Sequence, residues 1–166
     1  MTFFSELLSM LEDVSCDFNH FFYRLGNTPI FTFITQDEYF KAAEKILPAD
    51  PEIPQPESIK KLATWLEDSY RLRLENDGVT NDTERQQKMN AVNPKFVLRQ
   101  WVLEEVIRKT ESEKGVGVKN KEMLDLVLAM ALEPFKEGWG IDKEEEERLC
   151  GEVPKLDRGF QCSCSS

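Results

Sequence analysis

Apolar residues recur every three or four positions along almost the whole of this chain, a spacing that admits helices and little else. Phe3, Phe4, Leu7, Leu8 and Leu11 mark one face of a first helix, which breaks near Ser15. Asp17 is placed to cap a second helix carrying Phe18, Phe21, Phe22 and Leu25, with Gly26 closing it. Thr35-Gln36-Asp37-Glu38 has the capping-box pattern, in which hydroxyl and carboxylate satisfy each other's free backbone donors. It predicts a helix running through Tyr39, Phe40, Ala43 and Ile46 to just before Pro48.

Pro48, Pro51, Pro54 and Pro56 make residues 48–56 an extended surface connection. Ile59, Leu62, Ala63, Leu66, Tyr70 and Leu74 then space out a long helix ended by Asp77-Gly78, and a further helix is expected from Thr83 to Ala91. Asn93-Pro94 reads as an N-cap followed by proline at the first helical position, where its missing N–H costs nothing. The helix predicted from Pro94 to about Glu111 is apolar over more than half its circumference and is expected to be the central, most buried element. Gly115-Val116-Gly117 reads as a turn, Asn120 as the cap of a last long helix, and Pro134 as its stop. Only Ile30-Phe31-Thr32-Phe33-Ile34 hints at a strand. The expectation is an all-α fold: a helical domain over residues 1–135, then an irregular acidic tail over 136–166.

A chain of 166 residues with 40% hydrophobic content is long enough to bury a core. Its formal net charge of -10 repels phosphate backbones and anionic lipid, so neither nucleic acid nor a bare membrane is an expected partner. The most basic stretch sets Arg85, Lys88, Lys95, Arg99, Arg108 and Lys109 among Glu84, Glu104 and Glu105, the pattern of a mixed-charge helical surface. No apolar run is long enough for a membrane span, and the first residues show neither a secretory nor an arginine-rich mitochondrial leader. Three of the four cysteines crowd the end of the chain, unlike a secreted disulfide framework. A soluble intracellular protein is expected.

Candidate chemistry is sparse. His20, the single histidine, lies among aromatics with no partner suggested for acid–base work and reads as a surface or half-buried side chain. Gly115-x-Gly117 and Gly138-Trp139-Gly140 lack the spacing, lysine and preceding strand of a phosphate loop. Protein-kinase signatures are absent as well, so no nucleotide site is legible here. The acids Glu144 to Glu147 read as a solvated helix end rather than a cation site. Cys150, Cys162 and Cys164 lack the paired spacing of zinc ligands. Cys162 and Cys164, two residues apart near the terminus, are instead candidates for thiol exchange.

Two stretches carry a resemblance to a known family: the tail Cys162-Ser163-Cys164-Ser165-Ser166, and Asn93-Pro94-Lys95-Phe96-Val97-Leu98-Arg99-Gln100-Trp101. Ser5-Glu6-Leu7-Leu8-Ser9-Met10-Leu11 with Asp17-Phe18, and Glu133-Pro134-Phe135, agree in order. Together they resemble the C-terminal part of the selenoprotein O family, protein adenylyltransferases with a protein-kinase-like fold. The resemblance implies a family activity that transfers AMP from ATP, with Mg²⁺ or Mn²⁺, to Ser, Thr or Tyr hydroxyls of protein substrates, in mitochondria for eukaryotic members and linked to redox homeostasis. It also implies that the ATP, metal and catalytic-base residues lie upstream of every matched position, so none is carried over to this chain. Cys164 stands where the family has a tail selenocysteine or cysteine able to pair with a cysteine of the catalytic region, and Cys162 departs from the pattern.

Two readings follow. In one, the chain is the C-terminal segment of an adenylyltransferase, beginning at what was an internal methionine and inactive without the kinase-like catalytic region. In the other, it is a stand-alone helical interaction module with a redox-active cysteine tail. The first predicts an exposed apolar face where the catalytic region would pack, and the second predicts that face covered.

Overall fold

Helix periodicity and caps translate directly into structure over the first half of the chain. The structure, a computed structural model, describes residues 3–13, 16–47, 55–112, 119–151 and 153, and among them it is all-α. Two compact units are present, Met1–Pro94 and Lys95–Ser166. The division falls between Pro94 and Lys95, well before the 135/136 boundary expected from sequence.

The first unit begins with α1 (Phe3–Asp13) and α2 (Phe18–Asn27), the second capped by the Asp17 carboxylate, which accepts from the His20 N–H at 2.9 Å. Gly26 does not close α2, as sequence suggested, but lies inside it. A Cβ there would sit 2.8 Å from Asn90 Oδ1 and 3.2 Å from Met89 Cβ, so this glycine lets another helix approach. Helix α3 (Gln36–Ile46) starts with the expected capping box: the Glu38 carboxylate accepts from the Ile34 and Thr35 N–H groups at 2.9 and 2.8 Å. Its far end is closed by Arg24, whose guanidinium donates to the Ile46 and Leu47 carbonyls at 2.9 and 3.2 Å.

The long helix after the prolines is three segments in one run. It comprises α4 (Gln55–Thr64), a π-helical stretch (Trp65–Arg71) and α5 (Leu72–Asn76), with Gly78 beyond at φ +77°. Gln55 and Pro56 are already helical, which shortens the extended connection drawn at 48–56; residues 48–54 lie outside the described set. In an α-helix, residues five apart point roughly 140° away from each other. The i→i+5 winding brings Trp65 and Tyr70 together instead, their rings stacked at 5.2 Å and 12°. Phe3 covers the Trp65 ring at 5.4 Å, so α1 is fastened to the π stretch. Around this stack the core gathers Leu7, Phe21, Leu25, Ile46, Leu62 and Leu66.

Residues Ile30 to Ile34 form turns, not a strand. Their backbone groups are satisfied by side chains. The Asp82 carboxylate accepts from the Ile30 and Phe31 N–H groups at 2.9 and 2.8 Å, and Arg71 donates to the Phe33 carbonyl at 2.9 Å. Asp82 opens α6 (Asp82–Asn90), whose N-cap is Asn81.

The second unit holds the largest departure from the sequence reading. Helix α7 runs from Gln100 to Ser112 and does not begin at Pro94. Asn93 faces backwards: its N–H and its side-chain amide both donate to the Met89 carbonyl at 2.9 Å, closing α6. The next two N–H groups, of Lys95 and Phe96, both donate to the Pro134 carbonyl at 2.9 and 3.1 Å. An extended segment results, and it lays Phe96 into the core against Trp139. Helix α8 (Lys119–Leu132) starts before Asn120, so that residue is not its cap. The 113–118 turn lies outside the described residues.

The segment from Lys136 is not wholly irregular either. It turns at Gly140 (φ +75°) and forms α9 (Lys143–Cys150), capped by Asp142 through the Glu144 N–H at 3.0 Å. Leu149 is fully buried with Phe96, Val102 and Met130. The Arg148 guanidinium grips Glu105 of α7 at 2.8 and 3.0 Å while lying over the Trp101 ring. Lys95 joins Glu146 and the Glu137 carbonyl. Of the run Glu144 to Glu147, Glu146 is largely enclosed by its pairing with Lys95, while Glu145 pairs with Arg148 and Glu147 with Lys143 at the surface.

Candidate functional site

Between α1 and the α4–π run lies an open groove of about 560 Å³, within the range of ligand sites. Its floor is apolar, from Met10 and Trp65, and its rim carries Glu6, Asp13, Glu57, Lys60 and Lys61. The Lys61 ammonium reaches across to Asp13 at 3.0 Å, and that hydrogen bond holds it above its ordinary pKa. Ser9, Thr64 and Ser69 add hydroxyls. The Trp65 indole N–H is buried without a hydrogen-bond partner. These groups suit binding, and the lining includes neither histidine nor cysteine to act as base or nucleophile.

His20 is half-buried on α2. Cys16 is half-buried, its thiol 3.8 Å from the Asp17 carbonyl. Cys150 is half-buried at the end of α9, and burial pushes its thiol up to about 11, which Lys95 only partly offsets. A thiol so raised is a poor nucleophile at neutral pH. The redox candidates Cys162 and Cys164 lie outside the described residues, so their arrangement with Cys150 is not part of the structure. Among the described residues, no three His, Cys, Asp or Glu side chains are grouped as metal ligands.

Arg85 departs furthest in burial from the sequence expectation. It was grouped with a mixed-charge surface, yet it is 4% exposed. Its guanidinium pairs with Asp82 at 3.1 Å and donates to the Leu25 carbonyl at 3.2 Å, the Tyr70 hydroxyl at 3.3 Å and the Thr28 carbonyl. The available signal was Asp82 three residues earlier, a helical i,i+3 pair.

The α7–α8 pair exposes two apolar stripes. Leu103 and Ile107 follow each other by one turn on α7, and Leu124, Leu128 and Leu132 do so on α8. Helix α7 is therefore not the most buried element: Trp101, Val102 and Val106 are inside, but its other apolar side chains are not. Phe4, Phe18 and Phe135 are exposed too, so the phenylalanines are not uniformly core.

Comparison with known proteins agrees with these motifs. Residues 1–127 match the family model described as protein adenylyltransferase SelO. A fission yeast relative, "Protein adenylyltransferase SelO, mitochondrial" of Schizosaccharomyces pombe, is 35% identical over 169 residues, covering 98% of this chain and 27% of its own length. "Protein nucleotidyltransferase YdiU" of Myxococcus xanthus is 29% identical, covering 98% of this chain and 28% of its own length. The protein of the same name from Aeromonas salmonicida is 30% identical, with 98% and 29% covered. No solved structure matches significantly. An all-α chain carrying these motifs and matches belongs to the SelO family of protein adenylyltransferases. It spans just over a quarter of the length of these relatives, which fits the C-terminal region that the tail motif points to.

Proposed function

We propose that this chain is the C-terminal segment of a SelO-like enzyme that transfers AMP from ATP to Ser, Thr or Tyr hydroxyls of other proteins, and that by itself it has no nucleotide site. The observation carrying this reading is the coverage: 98% of this chain against 27% of a protein named as an adenylyltransferase. The ATP and Mg²⁺ or Mn²⁺ sites are placed elsewhere in the longer enzyme, a reading supported by the ion pairs of the second unit. In the second unit, Glu105 and Glu145 are engaged by Arg148, and Glu146 by Lys95, so these carboxylates are spoken for. No step of the reaction is therefore assigned to these residues, and the kinase-like catalytic region is the partner this segment needs. A mitochondrial location would follow the fission yeast relative's name. Among the described residues, no helix is long and apolar enough to cross a membrane. Cys164, with Cys162 beside it, stays in the proposal as the exchangeable tail thiol.

The stand-alone module is the second reading, and the exposed leucines of α7 and α8 weigh against it, because a self-contained domain covers such a face. An AMP-transfer assay separates the two. With ATP, Mg²⁺ or Mn²⁺ and a protein acceptor, the 166-residue chain alone is expected to incorporate no AMP. A longer product containing it is expected to do so. Transfer by the short chain alone would overturn the proposal.

A further inference from the structure

Helix α8 has an unusual second half for a small domain. From Leu126 to Leu132 every residue is apolar, so two turns carry no charge on any side. Val127 and Met130 are buried against α7, while Leu124, Leu128 and Leu132 are 45%, 52% and 73% exposed. A helix apolar around its whole circumference is normally enclosed on all sides by a larger body. The neighbouring α7 stripe, Leu103 and Ile107, has the same character.

We infer that this face is the seat of the rest of a SelO-family polypeptide: its apolar surface packs on Leu124, Leu128 and Leu132, making α8 an internal helix of the whole protein. The inference rests on the segment reading above and adds to it the helix face at which the segment is joined. The length of the relatives outside the matched region selects this occupant over a second copy of the chain. The relatives extend beyond that region by almost three-quarters of their length, so a covalently continuous body is at hand to cover the face.

The test compares Leu128→Glu/Leu132→Glu in two settings. One is the isolated 166-residue chain. The other is the fission yeast relative with its matched region replaced by this chain. In isolation the double variant is expected to keep the melting temperature and the monomeric state, and to lose binding of an apolar dye. In the chimaera it is expected to lower the melting temperature by at least about 5 °C, since two charges enter a closed interface. An equal small change in both settings overturns the inference, and so does a chimaera that cannot fold with the unaltered face. An isolated chain that sediments as a dimer broken by the variant assigns the face to a second copy. A monomer that binds no dye assigns it to another part of this same chain. Either result also overturns the inference. AMP transfer by the longer product is read separately, so failure of the docking face leaves that reading standing or falling on its own assay.

Discussion

Arg85 shows how much of the first unit rests on one side chain. It joins the ends of α2 and α6 to the π stretch, and its charge is buried against Asp82. Arg85→Ala leaves that carboxylate without its cation and takes the guanidinium donor from the Thr28 carbonyl, while the Leu25 carbonyl keeps the Thr28 N–H at 3.2 Å. A loss of about 3 kcal/mol is expected in urea unfolding; a loss below ~1 kcal/mol would show the network to be ornamental. The thiols make a second prediction at this scale. With its pKa pushed up to about 11, Cys150 is expected to alkylate slowly at pH 8 in the native protein, and Cys164 rapidly. Mass spectrometry of the labelled chain reads both. A Cys164 protected until denaturation would remove it as a redox candidate. Neither Arg85 nor Cys150 was legible in the sequence, because burial of a polar side chain is decided by which elements pack, not by neighbours along the chain.

Elements were read best where a local device defines them. Asp17 caps α2 and the Thr35–Glu38 box opens α3 as their patterns require, and Gly78 terminates the long helix. They were read worst where a distant group intervenes. The Pro134 carbonyl takes the N–H groups of Lys95 and Phe96 and holds off α7, which no local propensity records. Likewise α9 has few apolar residues, but Leu149 and the grip of Arg148 on Glu105 fix it in place. Gly26 is a packing contact rather than a stop. Gly26→Ala gains helix propensity but presses on Met89 Cβ, so a net loss of about 1 kcal/mol is expected by thermal unfolding. An increase in stability would mean that α6 yields freely.

The docking of α9 should also depend on pH. The hydrogen bond from Lys95 holds the Glu146 carboxyl below its ordinary range, and Arg148 does the same for Glu145. At Glu105, burial pushes upward, but the bonds from Arg148 and Lys109 outweigh it. Carboxyls depressed in the folded state stabilise it fully above their unfolded pKa, and that stability is lost as pH falls through the folded value. The amide protection factors of α9, corrected for the intrinsic pH dependence of exchange, are therefore expected to be flat above the ordinary glutamate value of 4.5 and to fall below it. Unchanged protection well below that pH would contradict these pairings.

At the scale of the whole molecule, the all-α class and the family were legible in the sequence. The division into units at Pro94/Lys95 was not, because it depends on which helices share a core. The exposed apolar face is expected only as a consequence of the segment reading, and the structure places it on Leu124, Leu128 and Leu132 of α8 as well as on Leu103 and Ile107 of the anticipated helix. The proposal that this segment belongs to a longer polypeptide is tested at the same scale. Its most direct test is the intact mass of the endogenous protein, captured with an antibody against Cys162–Ser166. A product three to four times the 19.3 kDa of this chain is expected, in proportion to the 27% of the fission yeast relative that it covers. A product of 19.3 kDa, with no heavier species, would contradict it.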